Sequence, residues 1–237
     1  MENLIYKYYS PTEYNLDALL NQYFWFSKRE YLNDPFDLGN FRVGRKLLSV
    51  NNILRMLTTK YQGDEAIDTL SNIKQLIPEY ACCSFSRSPL NKQMWAYYSK
   101  DYTGWCLCFE KGELKTKNES PLLPVIYVDN NLQPISSNTN YKQYGQSTNE
   151  NLVRRILCTK HESWQHEEEE RIILKIKNET KGAKRQWGSY KLNSIIMGNK
   201  ISEAYCNILK RIATDRQCAL LEIQTSKNDF TLTKITI

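Results

Sequence analysis

Short segments of β-forming residues recur along the chain, and their spacing is the feature that most constrains its fold. Leu4–Tyr9 contains three Tyr and one Ile among six residues, and these residue types favour strands. The other predicted strands are Phe24–Ser27, Ala81–Phe85, Trp105–Glu110, Val125–Val128, Arg171–Lys177, Ser194–Met197, Ala219–Gln224 and Phe230–Ile237. Since these strands do not alternate regularly with helices, the pattern predicts an α+β fold.

Helices are predicted where apolar residues recur every three or four positions. The three clearest are Thr12–Tyr23, Gln93–Lys100 and Ile201–Arg216. Residues 48 to 78 also have a helical pattern and predict an inserted structural cap. About residues 129 to 150 the chain is rich in Asn, Gln, Ser and Thr, which predicts a long polar loop. We therefore predict a single domain over residues 1–237 with one helical insertion and one polar loop.

Net charge and composition place few limits on function. The formal net charge of +6 and the pI near 8.8 favour an anionic partner such as a nucleotide or nucleic acid, and are equally compatible with none. The start of the chain lacks the pattern of a signal peptide, and no run of about 18 apolar residues is present. We therefore expect a cytoplasmic protein that has no membrane partner.

The seven cysteines predict packing rather than metal binding. Their number is odd and most lie in apolar, strand-like segments, which is typical of reduced core residues in a cytosolic protein. No Cys-x-x-Cys pair is present. Cys106 and Cys108 would share one face of a strand, but with two His in the chain we favour packing over a metal site. We predict no metal.

Several common enzyme motifs are absent from the sequence. No GxGxxG or GxxxxGK[ST] is present, so neither a Rossmann nor a P-loop nucleotide site is supported. No HExxH zinc motif and no GxSxG nucleophile elbow is present. These absences argue against the corresponding enzyme classes.

Three separated signatures give the chain a family resemblance. They are FSKREYLNDPFD at Phe26–Asp37, CSFSRSPLNKQMWAYYSKDYTGWCLCFE at Cys83–Glu110, and WQHEEEER at Trp164–Arg171. They resemble a bacterial domain family of unknown function whose members carry FS…LNDPFD, CFS…MWAHYA…G.C..FD and W.YE.EWR. The resemblance covers roughly residues 4 to 200.

The chain departs from that family pattern at four positions. Tyr97 and Tyr102 stand where the family tends to have His, His166 replaces an aromatic residue, and Glu170 replaces Trp. If the first of those His residues is catalytic in relatives, this chain lacks it.

The order of elements also resembles the split antiparallel β-sandwich of ADP-ribosyltransferases, with inserted helices. That resemblance implies a site for NAD, which is a substrate in this chemistry, between the first strand, a middle strand with its following helix, and a late glutamate. The implied NAD-binding residues are Tyr6, Lys7, Tyr8, Ser84, Ser86, Trp95, Tyr98 and Arg171, and the implied catalytic residues are Glu169 and Glu167. The polar segment from Asp129 to about Glu150 would correspond to the substrate loop.

These residue types suit the cleavage of NAD. Loss of nicotinamide passes through an oxocarbenium-like state, which a fixed carboxylate stabilises. On a strand, Glu167, Glu169 and Arg171 would share one face, so Arg171 would hold Glu169 ionised. The alternative is a solvated acidic run with a structural Glu–Arg pair.

Each of the other candidates also has a structural explanation. Lys7 is either a phosphate ligand or a surface residue on an edge strand, and Ser84 and Ser86 either contact nicotinamide or end a strand. Trp95 and Tyr98 lie three positions apart on one helix face, where core packing is more common than ligand stacking. The segment from Lys177 to Lys191 interleaves basic residues with Trp187 and Tyr190, as in single-strand nucleic-acid binding or, more commonly, a solvated hairpin.

The leading hypothesis is therefore an ADP-ribosyltransferase or NAD glycohydrolase that modifies protein or nucleic acid. By analogy it would be a toxin or antiphage effector with an antitoxin or other regulatory partner. One alternative is a non-catalytic module that binds a nucleotide or protein. A second is a metal-dependent nucleic-acid hydrolase, which would need Asp34 or Asp37 to converge with Glu167 and Glu169.

Overall fold

A computed structural model describes most of the chain. The described residues are 3–34, 37, 71–73, 75–114, 119–130, 135, 149–176, 179–226, 228–229 and 231–237. Most of the predicted insertion at 48–78 and of the polar loop at 129–150 lies outside these residues. Within them, 71–73 and 75–76 are helical.

The described elements form an α+β fold, as predicted. The strands are β1 Leu4–Tyr9, β2 Tyr23–Ser27, β3 Tyr80–Ser86, β4 Trp105–Glu110, β5 Leu123–Pro124, β6 Ile126–Val128, β7 Thr159–His161, β8 Glu169–Lys175, β9 Gly182–Gln186, β10 Lys191–Met197, β11 Ala219–Thr225 and β12 Leu232–Thr236. The helices are α1 Glu13–Leu20, α2 Lys92–Tyr97, α3 Asn149–Leu157 and α4 Glu203–Asp215. Short 3₁₀ turns span Arg29–Tyr31, Ile77–Glu79 and Glu162–Glu167.

Most described strands belong to one large, mainly antiparallel sheet. Its order is β12-β11-β10-β4-β1-β3-β2-β9, with β8 and β5 joined alongside β3. The pair β10–β11 is parallel because α4 lies between the two strands in the chain. Strands β6 and β7 form a separate parallel pair.

The sheet opens along one edge of β3. On its other edge β3 pairs with β8 over its full length, from Tyr80 to Ser86. On the open edge, β2 meets β3 at Ser27 and Cys82, and β1 meets it at Tyr6 and Ser86. On this open edge, the stretch of β3 between these two pairings has no strand partner in the described structure. Strands β1 and β2 diverge here and leave a cavity beside β3.

An aromatic cluster fills the core on one side of this opening. Phe24 is fully buried, and its ring centroid lies 5.1 Å from Phe85, 5.2 Å from Phe109 and 5.5 Å from Tyr190. Trp187 also packs on Phe109 at 4.8 Å. Such edge-to-face contacts are the favoured geometry of aromatic rings.

The segment around Trp187 is not a solvated hairpin. Residues 182–186 form β9, which pairs with β2, and both Trp187 and Tyr190 are buried. The alternative in which these two rings stack nucleic-acid bases is also wrong, because their surfaces are already covered by Phe24 and Phe109.

None of the helices in the described residues is long and apolar enough to cross a membrane. All seven cysteines are free, and those at positions 82, 83, 106, 108 and 158 are buried.

Alternation along β2 can be tested by two neighbouring substitutions. Phe24 is 0% exposed and Trp25 is 40% exposed, because successive strand residues face opposite sides. We expect Phe24→Ala to lower the free energy of unfolding by about 3–5 kcal/mol, and Trp25→Ala by about 1 kcal/mol or less. Urea denaturation followed by circular dichroism measures both. Equal losses would contradict the observed orientation of β2.

Candidate functional site

The opening beside β3 contains a cavity of about 280 Å³. It brings together most of the residues that the sequence singled out. Those that line it are Tyr6, Lys7, Tyr8, Ser84, Ser86, Tyr98, Glu167 and Glu169. Asp34 and Asp37 line it too. Strands β1, β3 and β8 therefore contribute to one site, although they are far apart in the sequence.

The two candidate glutamates sit on different elements. Glu169 is the first residue of β8, opposite Ser86. Glu167 ends the 3₁₀ turn Glu162–Glu167, and Glu168 between them has a left-handed backbone with φ of 45°. The prediction that Glu167, Glu169 and Arg171 share one strand face is therefore wrong for Glu167, because the strand begins two residues later. Both carboxylates are nevertheless buried at the cavity.

Arg171 supports the site from behind. Its side chain is 1% exposed, and it does not line the cavity. All its N–H groups are used: Nε and one terminal nitrogen donate to Glu169, while both terminal nitrogens donate to Asp37 and one also to the carbonyl of Leu157. The prediction that Arg171 binds NAD is therefore wrong, since no donor remains for a ligand. It fixes Glu169 instead.

Lys160 on β7 is a site residue that the sequence analysis missed. Its Nζ lies 2.5 Å from Glu167 Oε2, 3.3 Å from Glu169 Oε2 and 3.6 Å from Asp37 Oδ2. The side chain is only 4% exposed. Nothing in the local sequence Thr159-Lys160-His161 distinguishes it from a surface lysine. The burial of Lys160 follows from the tertiary structure, in which the three-residue strand β7 pairs with β6.

Together Asp37, Lys160, Glu167, Glu169 and Arg171 form a buried group that we call the charge cluster. It has three acidic and two basic members, so one negative charge is in excess when all are ionised. Burial of an uncompensated charge is costly, which favours a proton on one of the carboxylates.

The environment drives the pKa values of the two glutamates apart. Burial raises the pKa of Glu167, and the negative charge of Glu169 raises it further, while Lys160 opposes both. Burial would also raise the pKa of Glu169, but the charges of Arg171 and Lys160 outweigh it and hold that pKa well below the ordinary value. Such a split is typical of sites in which two carboxylates have different roles.

Lys7 reaches the open edge of β3. Its Nζ donates to the carbonyl of Ser84 at 2.9 Å, which satisfies a backbone group without a strand partner. The strand β1 lies between β4 and β3, so the alternative of an edge strand is wrong. Among the described residues, no carboxylate lies within 4.0 Å of this ammonium. Lys7 therefore carries a half-buried positive charge beside the cavity without an acidic partner there.

Ser84 links the two ends of the cavity. Its carbonyl accepts from Lys7, and its hydroxyl faces the carboxylate of Glu169, where it helps to keep the pKa of Glu169 low. The hydroxyl of Ser86 instead bonds locally with the backbone of Ser88. Ser84 is thus the better placed of the two serines to affect chemistry at the cavity.

Two of the predicted aromatic residues have structural roles. Trp95 is fully buried and its indole N–H donates to the carbonyl of Pro89. Its ring meets Tyr8 edge-on at 5.3 Å and stacks on Tyr102 at 6.1 Å. The prediction that Trp95 stacks on a ligand is therefore wrong, because both ring faces lie in the core. Tyr8 lines the cavity with its hydroxyl already bonded to Ser88.

Tyr98 and Tyr6 remain at the cavity wall. The hydroxyl of Tyr98 donates to Glu167 Oε1 at 2.6 Å. Burial, together with neighbouring Cys108, raises the pKa of Tyr6 to about 12, so it stays neutral at physiological pH.

Two departures from the family pattern lie side by side. The rings of Tyr97 and His166 meet at 6.4 Å, on the face of α2 next to the turn that carries Glu167. An imidazole is therefore present next to the position where the family tends to have one. Glu170, the third departure, forms an ion pair with Lys111 at 3.0 Å on the opposite face of β8.

No group of three or more His, Cys, Asp or Glu side chains within the described residues is arranged to hold a metal ion. The carboxylates of Asp37, Glu167 and Glu169 do converge, but they converge on the ammonium of Lys160.

Comparison with known proteins adds one match. Residues 94–172 match the family described as "Protein of unknown function (DUF2971)". The expected resemblance to a family of unknown function is thereby confirmed. The matched segment includes most of α2, all of β4 and the glutamates of the charge cluster. No curated protein matches the chain, and no solved structure does.

Glu167 should make stability depend on pH. Its pKa is raised in the folded state above the ordinary value of 4.5, so its contribution to stability is complete below that pH and is lost as pH rises through the folded pKa. Glu167→Gln cannot ionise. We expect the free energy of unfolding of this variant, relative to wild type, to increase as pH rises from about 4.5 through the folded pKa of Glu167, because wild type must then ionise a buried carboxylate.

Urea denaturation at several pH values measures this difference. Glu170→Gln, which removes a buried carboxylate from the other face of β8, is the control. A difference for Glu167→Gln that stays constant or shrinks over this range would contradict the raised pKa.

Proposed function

We propose that the protein cleaves the nicotinamide–ribose bond of NAD, as an ADP-ribosyltransferase or NAD glycohydrolase. One observation carries the proposal. The same cavity holds an acidic pair, Glu167 and Glu169, and the Lys7 ammonium, for which the described residues supply no carboxylate partner. The site is therefore negative at one end and positive in the middle.

This distribution of charge complements NAD. The nicotinamide ring is cationic and its ribose becomes more so as the bond breaks, while the diphosphate is anionic. The carboxylates suit the first group, and Lys7 suits the second. Ser84 lies between the two ends, since its carbonyl accepts from Lys7 and Glu169 is opposite the nearby Ser86 on the same strand.

We assign the reacting position to Glu167. Its carboxylate accepts from Tyr98 and Lys160, which leaves acceptor capacity for a ribose or acceptor hydroxyl. Glu169 accepts two hydrogen bonds from Arg171 and one from Lys160, so most of its acceptor capacity is used within the protein. Glu169 is then the fixed negative charge of the site, and Arg171 and Lys160 are positioning residues.

The reaction follows from these roles. The bond between the nicotinamide nitrogen and ribose C1′ breaks, and its electron pair goes to the ring nitrogen, so nicotinamide leaves neutral. The negative charges of Glu167 and Glu169 stabilise the oxocarbenium-like ribose. A lone pair of water or of an acceptor then forms the new bond to C1′, and Glu167 takes the proton that the nucleophile loses.

The fold agrees with this proposal at a coarse level. We infer that the opening between β1 and β2 beside β3 corresponds to the split of an ADP-ribosyltransferase sandwich. In that architecture the substrate lies in the split, which is where the cavity is found here.

One observation favours the rival function, a non-catalytic binding module. Glu169 is so fully paired with Arg171 and Lys160 that a purely structural cluster would look much the same. The metal-dependent hydrolase is less well supported, because the Lys160 ammonium occupies the point where the three carboxylates meet.

Glu167→Gln tests the catalytic proposal. We expect nicotinamide release from NAD to fall roughly 10²- to 10⁴-fold in kcat with little change in KM, since the general base is lost and the binding groups remain. Release is measured with labelled NAD, in the presence of total cellular RNA and protein, so that label in either fraction identifies the acceptor. Glu170→Gln should retain activity.

If the Glu167→Gln variant releases nicotinamide at the wild-type rate, the assignment of Glu167 as the general base is refuted. Absence of both turnover and NAD binding in the wild type would refute the proposed substrate, and binding without turnover would favour the binding module.

Lys7→Met tests the proposed phosphate contact. A charged hydrogen bond contributes about 1.5–3 kcal/mol, so KM for NAD and for nicotinamide mononucleotide should rise roughly 10- to 100-fold. Nicotinamide riboside lacks phosphate, so its KM should not change. Lys111→Met removes a partly exposed lysine from the end of β4 and serves as the control. An equal effect on all three substrates would show that Lys7 acts through the fold.

A further inference from the structure

Two exposed aromatic side chains border the cavity. Trp25 is 40% exposed and Tyr31 is 51% exposed, and both line the cavity. Large aromatic rings that remain open to solvent at the wall of a cavity are suited to stack on a planar ligand group. The reaction proposed above gives neither of them a role.

The fold holds Trp25 in this orientation. Phe24 and Phe26 point into the core, so Trp25 and Ser27 face the cavity. The neighbouring strand β9 carries Gly182 beside the Trp25 ring, where a Cβ would lie 2.9 Å from Cζ2 of that ring and 2.0 Å from the carbonyl oxygen of Phe26. The absence of a side chain at Gly182 therefore leaves room for the indole.

The strand β3 orders the groups along the cavity. Ser27, on the same face of β2 as Trp25, is opposite Cys82. Lys7 bonds to the carbonyl of Ser84, and Glu169 is opposite Ser86. At a rise of about 3.3 Å per residue, Cys82 and Ser86 are about 13 Å apart. The backbone of Trp25 lies two residues nearer Ser84, but its ring lies beside Gly182, which pairs with Ser27. The order along the cavity is therefore the Trp25 ring, then Lys7, then Glu169.

The volume of the cavity also bears on the length of the ligand. At about 280 Å³, the cavity lies at the lower limit of small-molecule sites, which are roughly 300–1,000 Å³. A volume of this size encloses about one nucleotide unit, so part of a bound dinucleotide would remain outside it, against the solvent-exposed parts of Trp25 and Tyr31.

We propose that Trp25 and Tyr31 form a stacking subsite for the adenine ring, which makes a purine dinucleotide the preferred substrate over nicotinamide mononucleotide. The inference rests on the proposed function. The adenine lies against the two rings, the diphosphate beside Lys7, and the nicotinamide ribose at Glu167.

Calorimetry with ADP tests the subsite independently of turnover, because ADP has the adenine and the diphosphate but no scissile bond. Loss of one base–aromatic stack lowers affinity roughly 5- to 150-fold. We expect Trp25→Ala to weaken ADP binding within this range and to leave the binding of nicotinamide mononucleotide unchanged. Trp25→Phe should retain most of the ADP affinity. Tyr14→Ala, which removes an aromatic residue that is 85% exposed and does not line the cavity, is the control.

The two proposals fail in different ways. Nicotinamide release that depends on Glu167, together with ADP binding that ignores Trp25, would overturn the subsite and keep the function. ADP binding that depends on Trp25, without any nicotinamide release, would overturn the proposed function and keep the subsite. Failure of the wild type to bind ADP, or an equal loss of ADP and mononucleotide binding in Trp25→Ala, would overturn the subsite.

Discussion

The contacts of Arg171 hold the described site together. This single buried guanidinium joins Asp37 in the first sequence signature, Glu169 in the last, and the carbonyl of Leu157 at the end of α3. The paired geometry with Asp37, in which two terminal nitrogens meet two carboxylate oxygens, is the strongest form of such a contact. A guanidinium cannot lose its proton in a protein. The buried positive charge of Arg171 therefore has to be compensated by acceptors at fixed positions around it.

A fixed arginine also explains why the two glutamates differ. The geometry of β8 brings Glu169 directly onto Arg171, so its charge is neutralised within the protein. Glu167, on the preceding turn, reaches Lys160 and Tyr98 but not Arg171. The excess negative charge of the cluster therefore resides where the cavity is, and the group that titrates is the one a ligand can meet. A fully compensated cluster would stabilise the fold equally well or better without this excess.

The sequence predicted the local elements better than it predicted the contacts between them. The strand Trp105–Glu110 has the predicted limits, because its apolar run is bounded by Gly104 and a charged segment. The strand β9 was missed because Gly182–Gln186 is polar and lies at the end of the sheet, where only pairing with β2 identifies it. Family resemblance singled out Glu167 and Glu169, which line the cavity, but it did not indicate that Arg171 and Trp95 lie behind the cavity wall.

Lys160, and the contact between Asp37 and Arg171, show why the rest could not be predicted. Asp37 is 134 residues from Arg171 in the chain, and Lys160 lies on a three-residue strand that has no motif. Their burial depends on tertiary contacts alone. The buried Lys160 is shared among three carboxylates, one of which has a raised pKa. Removing these charges from water is costly, and their mutual attraction leaves little net gain in stability. Charged groups in such an arrangement cluster at functional sites more often than elsewhere. These properties of the cluster support the proposed chemistry at the cavity.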